Sequence, residues 1–260
     1  MGAEAGRAGE IAPIVRTTAS VSAKAELYRY IQGLSAESDT KLPAETELAA
    51  RLGISRITLR RVLAELEQEG LILRMHGRGT FINPEALEIK ANLMLGLEFL
   101  ALLRSNGYEA SSRVVRLERV KATDELAQIL HVESGCDLYE VEKAYYADDK
   151  LAIVSIDVFP CELVGDDLVP ADLDDPSVFD LLATRAGRVV ERDRINIQSV
   201  SRKSVKRSET CRKQMSCDSV LVFTATNYDQ LNRPVFVDVE YYDTSIVKFG
   251  CMRVKSPYVP

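Results

Sequence analysis

Histidine and paired cysteine are scarce in this chain. It holds two histidines in 260 residues. One of them, His131, is the only histidine after His76, so the later part offers no histidine-based acid–base pair or metal set. No metal site, cofactor or catalytic group is expected. The five cysteines are odd in number and scattered without a CxxC pair, which argues against a disulfide framework and for a reducing cytoplasm. No apolar run approaches the roughly 18 residues that a membrane helix needs. The longest candidate, Leu93 to Leu103, is too short and carries Glu98. The N-terminal stretch has early acids and no apolar core, against a signal peptide. Gly6 stands where a myristoylation signal wants Ser or Thr. No internal repeat is visible.

A hydrophobic content of 46% and a charged content of 28% belong to a globular protein. The length allows one large or two ordinary domains. The net charge of −6 is unusual for a nucleic-acid binder, but it is unevenly spread. Acids concentrate after Leu117, as in Asp166-Asp167 and Asp172 to Asp175, whereas Arg56 to Arg78 is arginine-rich. A basic working face on an acidic body suffices for local phosphate attraction.

Residues 1–20 show no periodicity and read as a mobile tail. Lys24 to Leu34 has helical spacing through Leu27, Ile31 and Leu34. Glu45 to Leu52 reads as a second helix, with Pro43 at its start and Gly53 at its left-handed exit. Ser55 is a natural N-cap for a third helix, whose Leu59, Val62, Leu63 and Leu66 form one stripe. Two short strands, Leu71 to Arg74 and Thr80 to Ile82, flank His76-Gly77-Arg78-Gly79.

Residues 21–83 thus lay out a winged helix-turn-helix, a device that reads the DNA major groove. The N-terminal part of the third helix presents Ser55, Arg56, Thr58 and Arg60. An arginine fork matches the O6 and N7 acceptors of guanine, and the hydroxyls suit phosphate oxygens. Arg78, between Gly77 and Gly79, suits the minor groove, with His76 beside it for phosphate. Each element alone also fits a plain solvated face or turn; their combination favours DNA.

Residues 84–92 read as a linker and 93–255 as a second domain. Helices are predicted at Leu93 to Arg104, Thr123 to Leu130 and Val178 to Thr184. Strands are predicted at Leu138 to Tyr146, Ala152 to Phe159, Val189 to Val200, Val220 to Tyr228, Val235 to Tyr242 and Val247 to Val254. The class is α+β, with a mainly antiparallel sheet and flanking helices. The basic run from Arg202 to Lys213 fits a solvated loop or helix better than an anion site. Cys211 and Cys217 match no common zinc spacing.

Leu42-Pro43-Ala44-Glu45, Leu48-Ala49, Ser55-Arg56, Thr58-Leu59-Arg60, Glu69-Gly70-Leu71 and Gly77-Arg78-Gly79-Thr80-Phe81 closely resemble the DNA-binding domain of the GntR family of bacterial transcription regulators. The resemblance implies a homodimer on a double-stranded inverted-repeat operator. Thr46 departs from it, standing where the family commonly has an arginine. From about Leu93 to Val254 the chain looks like the effector-binding UTRA domain of the HutC-type branch, which shares its fold with chorismate lyase. That likeness rests on Leu138 to Pro160, Ser177 to Leu182 and Asn232 to Val235. It implies a small-molecule effector held by Lys143, Tyr145, Ser155, Ser177, Phe179, Glu240 and Tyr242. Lys143 and Tyr145 stand where two arginines are usual, Ser155 where a glutamate is usual, and Phe179 where a tyrosine is common. Lysine cannot form a bidentate fork, so the ligand is expected to be less anionic or more aromatic than a sugar phosphate. The function expected is a cytoplasmic, effector-controlled repressor. The rivals are a lyase-type enzyme with a DNA-binding head and a ligand-independent DNA-binding protein.

Overall fold

The computed structural model describes residues 19–32, 41–93, 96, 98–173 and 177–253. The first part is helical. Helix α1 (Ala19–Gln32) buries Ala23, Leu27, Tyr28 and Ile31 and packs on α3. It begins earlier than predicted, because small residues such as Ala23 extend the buried face ahead of Leu27. Of the predicted tail, all but Ala19 and Ser20 lies outside the described residues, as does Leu34. Helix α2 (Glu45–Leu52) ends at Gly53, whose φ of 63° is left-handed, a conformation that costs glycine little. Helix α3 (Arg56–Gln68) starts at Ser55, whose hydroxyl accepts the Thr58 amide at 3.1 Å. Its Leu59, Val62, Leu63 and Leu66 are fully buried and join the α1 and α2 residues in one core. Strands β1 (Ile72–Met75) and β2 (Gly79–Ile82) form an antiparallel hairpin.

The predicted linker contains structure: a one-turn helix α4 (Pro84–Leu87), capped by Asn83, and strand β3 (Ala91–Asn92). Helix α5 (Phe99–Ser105) starts inside the predicted span, of which Met94, Leu95 and Leu97 lie outside the described residues. Glu98 fixes the start by accepting the amides of Leu100 and Ala101 at 3.0 and 2.8 Å. Strand β4 (Ala110–Lys121) was not predicted. A bulge between Val114 and Arg116 breaks its alternation, and the strand is at most half-buried. Then follow α6 (Asp124–Leu130), β5 (Asp137–Ala147), β6 (Lys150–Pro160), α7 (Val178–Ala186), β7 (Val190–Ser201), α8 (Glu209–Gln214), β8 (Ser219–Asp229), β9 (Pro234–Tyr242) and β10 (Phe249–Gly250).

The large sheet runs β4-β5-β6-β9-β8-β7, antiparallel throughout. Helices α5 and α7 cover separate parts of one face through the clusters around Tyr242 and Phe159. Helices α6 and α8 cover the other face. The predicted strand from Val247 shrinks to β10, because β9 is already flanked by β6 and β8. Instead β10 pairs in parallel with β3, and Val254 lies outside the described residues. Within the basic run Arg202 donates to the carbonyls of Cys217 and Arg212 and Arg207 pairs with Glu140, while Lys203, Lys206, Arg207 and Lys213 are exposed, as a solvated loop and helix require. Among the described residues no helix is long and apolar enough to cross a membrane.

After β10 the chain returns to the helical head, where Met252 packs against its core. A Cβ on Gly70, at φ +72°, would sit 2.7 Å from the Met252 Cβ. Gly70→Ala is therefore expected to cost about 1–2 kcal/mol, through left-handed strain and displacement of Met252. Urea denaturation followed by circular dichroism checks this; an unchanged midpoint would mean that the contact is not held in solution.

Candidate nucleic-acid interface and ligand site

Helix α3 turns its leucine stripe inward, so Arg56, Ile57 and Arg60 face water. Ile57 is 83% exposed, although no water-facing aliphatic was expected in an amphipathic helix. Its offset from the Leu59–Leu66 stripe was the available signal. An exposed aliphatic beside arginines can contact a thymine methyl group. Arg60 is exposed, but its Nε donates to Glu45 on α2 at 2.8 Å. The Ser55 and Thr58 hydroxyls lie 2.8 Å apart. One proton joins them and the other stays available to a phosphate. Thr46 is exposed in the first turn of α2.

The hairpin tip turns through Gly77 at φ 74° and reaches Gly79 at φ 111°, with the Arg78 amide bonded to the Met75 carbonyl at 3.0 Å. His76, Gly77, Arg78 and Gly79 are all exposed. The Arg78 guanidinium lies 6.0 Å from the Phe81 ring centre, and the Lys41 ammonium lies 5.8 Å from the same ring. Lys41, which sequence reading passed over, bridges to Phe81 while Leu42 bonds to Thr80. A second cation thus stands beside Arg78.

In the sheet domain, Lys143, Ser155 and Glu240 share one rung across β5, β6 and β9, and Tyr145 and Tyr242 share the next rung toward α5. These five ligand-site candidates therefore lie together on the α5/α7 face. Lys143 is buried and donates to the Leu173 carbonyl at 2.5 Å. The Tyr145 and Tyr242 rings both meet Phe99 edge-on. Ser177 is placed differently. It caps α7, with its hydroxyl donating to Asp180 at 2.8 Å and accepting the Asp180 amide at 3.2 Å. Phe179 is exposed on α7 and meets Phe236 edge-on.

Sequence reading missed two residues on this face, Asp157 and Asp238, paired across β6 and β9. Both are buried. Burial pushes Asp157 up to about 7, with Asp238 adding to the rise. Burial pushes Asp238 up to about 6 against the stabilising Asn227 hydrogen bond. Glu240 is raised well above the ordinary carboxylate range, first by burial and then by Asp238. His131 is remote from this row, exposed at the left-handed end of α6.

The exposed recognition helix, the cationic wing and the appended antiparallel sheet define a winged-helix DNA-binding regulator with a separate C-terminal domain. The chain belongs to the GntR family, in the branch that carries a UTRA domain. The model described as bacterial regulatory proteins, gntR family, matches residues 19–82, and that of the UTRA domain matches residues 105–248. Over 142 residues the chain is 32% identical to the HTH-type transcriptional repressor NagR of Bacillus subtilis, covering 54% of this chain but only 57% of NagR. It is 28% identical over 214 residues to the HTH-type transcriptional regulator GgaR of Escherichia coli K12, covering 81% of each. The possible transcriptional regulator YydK of Bacillus subtilis shares the fold with a TM-score of 0.62 at 18% identity, over 92% of this chain and 100% of that one. PhnF from Mycobacterium smegmatis does so with a TM-score of 0.52 at 21% identity, over 91% and 100%.

Proposed function

We propose that the protein is a cytoplasmic homodimeric repressor that grips an inverted-repeat operator and releases it when a small metabolite binds the sheet domain. The observation that carries this reading is the solvent-facing start of α3, where Arg56 and Ile57 are free to meet base edges beside a capped helix terminus. NagR, which is named a repressor, supports the sign of regulation. The β3–β10 pairing and the Met252 contact with the head supply a physical connection between the two parts. A few kcal/mol of differential ligand affinity for two dimer states is enough to shift operator binding.

Fluorescence anisotropy with labelled DNA from upstream of the chain's own gene tests the reading. Saturable, salt-sensitive binding by two protomers per operator is expected, and equal affinity for scrambled DNA of the same length would contradict it. Arg78→Ala is expected to weaken binding by about tenfold across sequences and to lower the salt slope by about one. A loss confined to one major-groove base pair would contradict the wing assignment.

A further inference from the structure

Two apolar clusters divide the α5/α7 face of the sheet, and a polar row lies between them. One rung holds Lys143, Ser155, Glu240 and Phe223; the next holds Val141, Asp157, Asp238 and Ala225. Three carboxyl groups therefore meet on two adjacent strands. Lys143 is the one cation in these rungs, and its ammonium already bonds the Leu173 carbonyl.

The local donors are few. Ser155 donates to Asp157 Oδ2 at 3.0 Å, Asn227 to Asp238 Oδ2 at 2.9 Å, and Tyr242 to Glu240 Oε2 at 2.5 Å. Among the described residues Asp238 Oδ1 is buried with no hydrogen-bond partner, in a residue only 4% exposed. Buried acceptors in folded proteins are almost always satisfied, so this oxygen calls for a donor from outside the chain. Phe223 stands in the Glu240 rung and Tyr145 and Tyr242 in the rung beyond it, with Phe99 against both tyrosines.

We propose that this row binds the protonated amine or guanidinium of a small metabolite, with N–H donors directed at Asp238 Oδ1 and the Glu240 carboxylate and the aromatic cluster flanking the ligand body. The inference rests on reading the sheet domain as the effector domain, and it names the effector's chemical class. A phosphate would bring negative charge against three carboxyl groups, with one already bonded lysine to offset it. A cation gains from all three, because neighbouring opposite charge favours the ionised carboxylate. Aromatic faces add attraction for a cation.

Full-length protein titrated with agmatine, putrescine and glucosamine, and in parallel with glucose and glucosamine 6-phosphate, tests the proposal by thermal shift and calorimetry. At least one amine is expected to raise the melting midpoint by about 5 °C at a hundredfold excess over its Kd, and glucose and the phosphate are not. Asp238→Asn is expected to weaken the amine by roughly tenfold or more; if that variant does not fold, Glu240→Gln serves instead. No shift with any amine, a shift with glucosamine 6-phosphate alone, or wild-type amine affinity in the folded variant overturns the proposal. Adding the binding amine to the operator complex separates the two readings. Tight amine binding with unchanged DNA affinity would remove the effector role and leave the ligand class standing.

Discussion

Replacing Arg56 with alanine is expected to cut operator affinity by about 5- to 150-fold, the equivalent of about 1–3 kcal/mol, and to flatten preference at one base pair. The size follows from what the arginine must give up to bind. Arg60 is held by Glu45, Arg61 by Glu65 at 4.0 Å and Arg74 by Glu67 at 3.6 Å. Each of these must exchange a carboxylate for a base or phosphate, so its net gain on DNA is reduced. Among the described residues Arg56 has no such acid, and it occupies the first turn of α3, the part of a recognition helix that reaches base edges. Arg60→Ala should therefore cost less than Arg56→Ala. Anisotropy titrations at fixed salt against single-base operator variants measure both. Wild-type affinity and preference in the Arg56 variant would show that the start of α3 does not read the groove.

The head was legible because its signals are local. A serine cap, a glycine exit and a leucine stripe each act within a few residues, and α2, α3 and the hairpin lie close to where those signals put them. The central strands β5, β6, β8 and β9 announced themselves through apolar runs. Strand β4 did not, because an edge strand with a bulge buries too little to impose alternation. The end of the chain misled for a different reason: pairing of β10 with β3 is a long-range choice that no local pattern encodes. In the site, Arg56 and Arg78 were visible as charge among turn and cap signals. Ile57 and Lys41 were not, since an aliphatic in an amphipathic helix and a lysine before Pro43 both have ordinary explanations. Asp157 and Asp238 were hidden inside apolar strands. Period two places Asp157 on the same face as Ile153 and Phe159, both fully buried, and that was the clue to a buried carboxyl.

Asp157→Asn is expected to stabilise the sheet domain by up to about 4 kcal/mol at pH 8 and by little at pH 4. Asp157 is buried and pushed up to about 7, first by burial and then by Asp238 beside it; Ser155 and Lys143 pull the other way. An unfolded aspartate titrates near 3.9. Because the folded value is the higher one, the protonated carboxyl contributes fully below pH of about 4. That contribution is lost as pH rises through about 7, where the folded protein must ionise a buried group. Asparagine has no proton to lose and keeps an oxygen to accept the Ser155 hydroxyl. The gap between variant and wild type should therefore open between pH 4 and pH 7 and then level off, reaching roughly 10 °C in melting midpoint. Calorimetric scans at pH 5 and pH 8 decide it; an equal gap at both would show that Asp157 is not held neutral by the fold. A carboxyl that costs stability at working pH is the kind of group retained for binding rather than for folding. The same substitution should accordingly weaken any cationic ligand of the row while making the free protein harder to melt, a combination that loss of a merely structural contact does not produce.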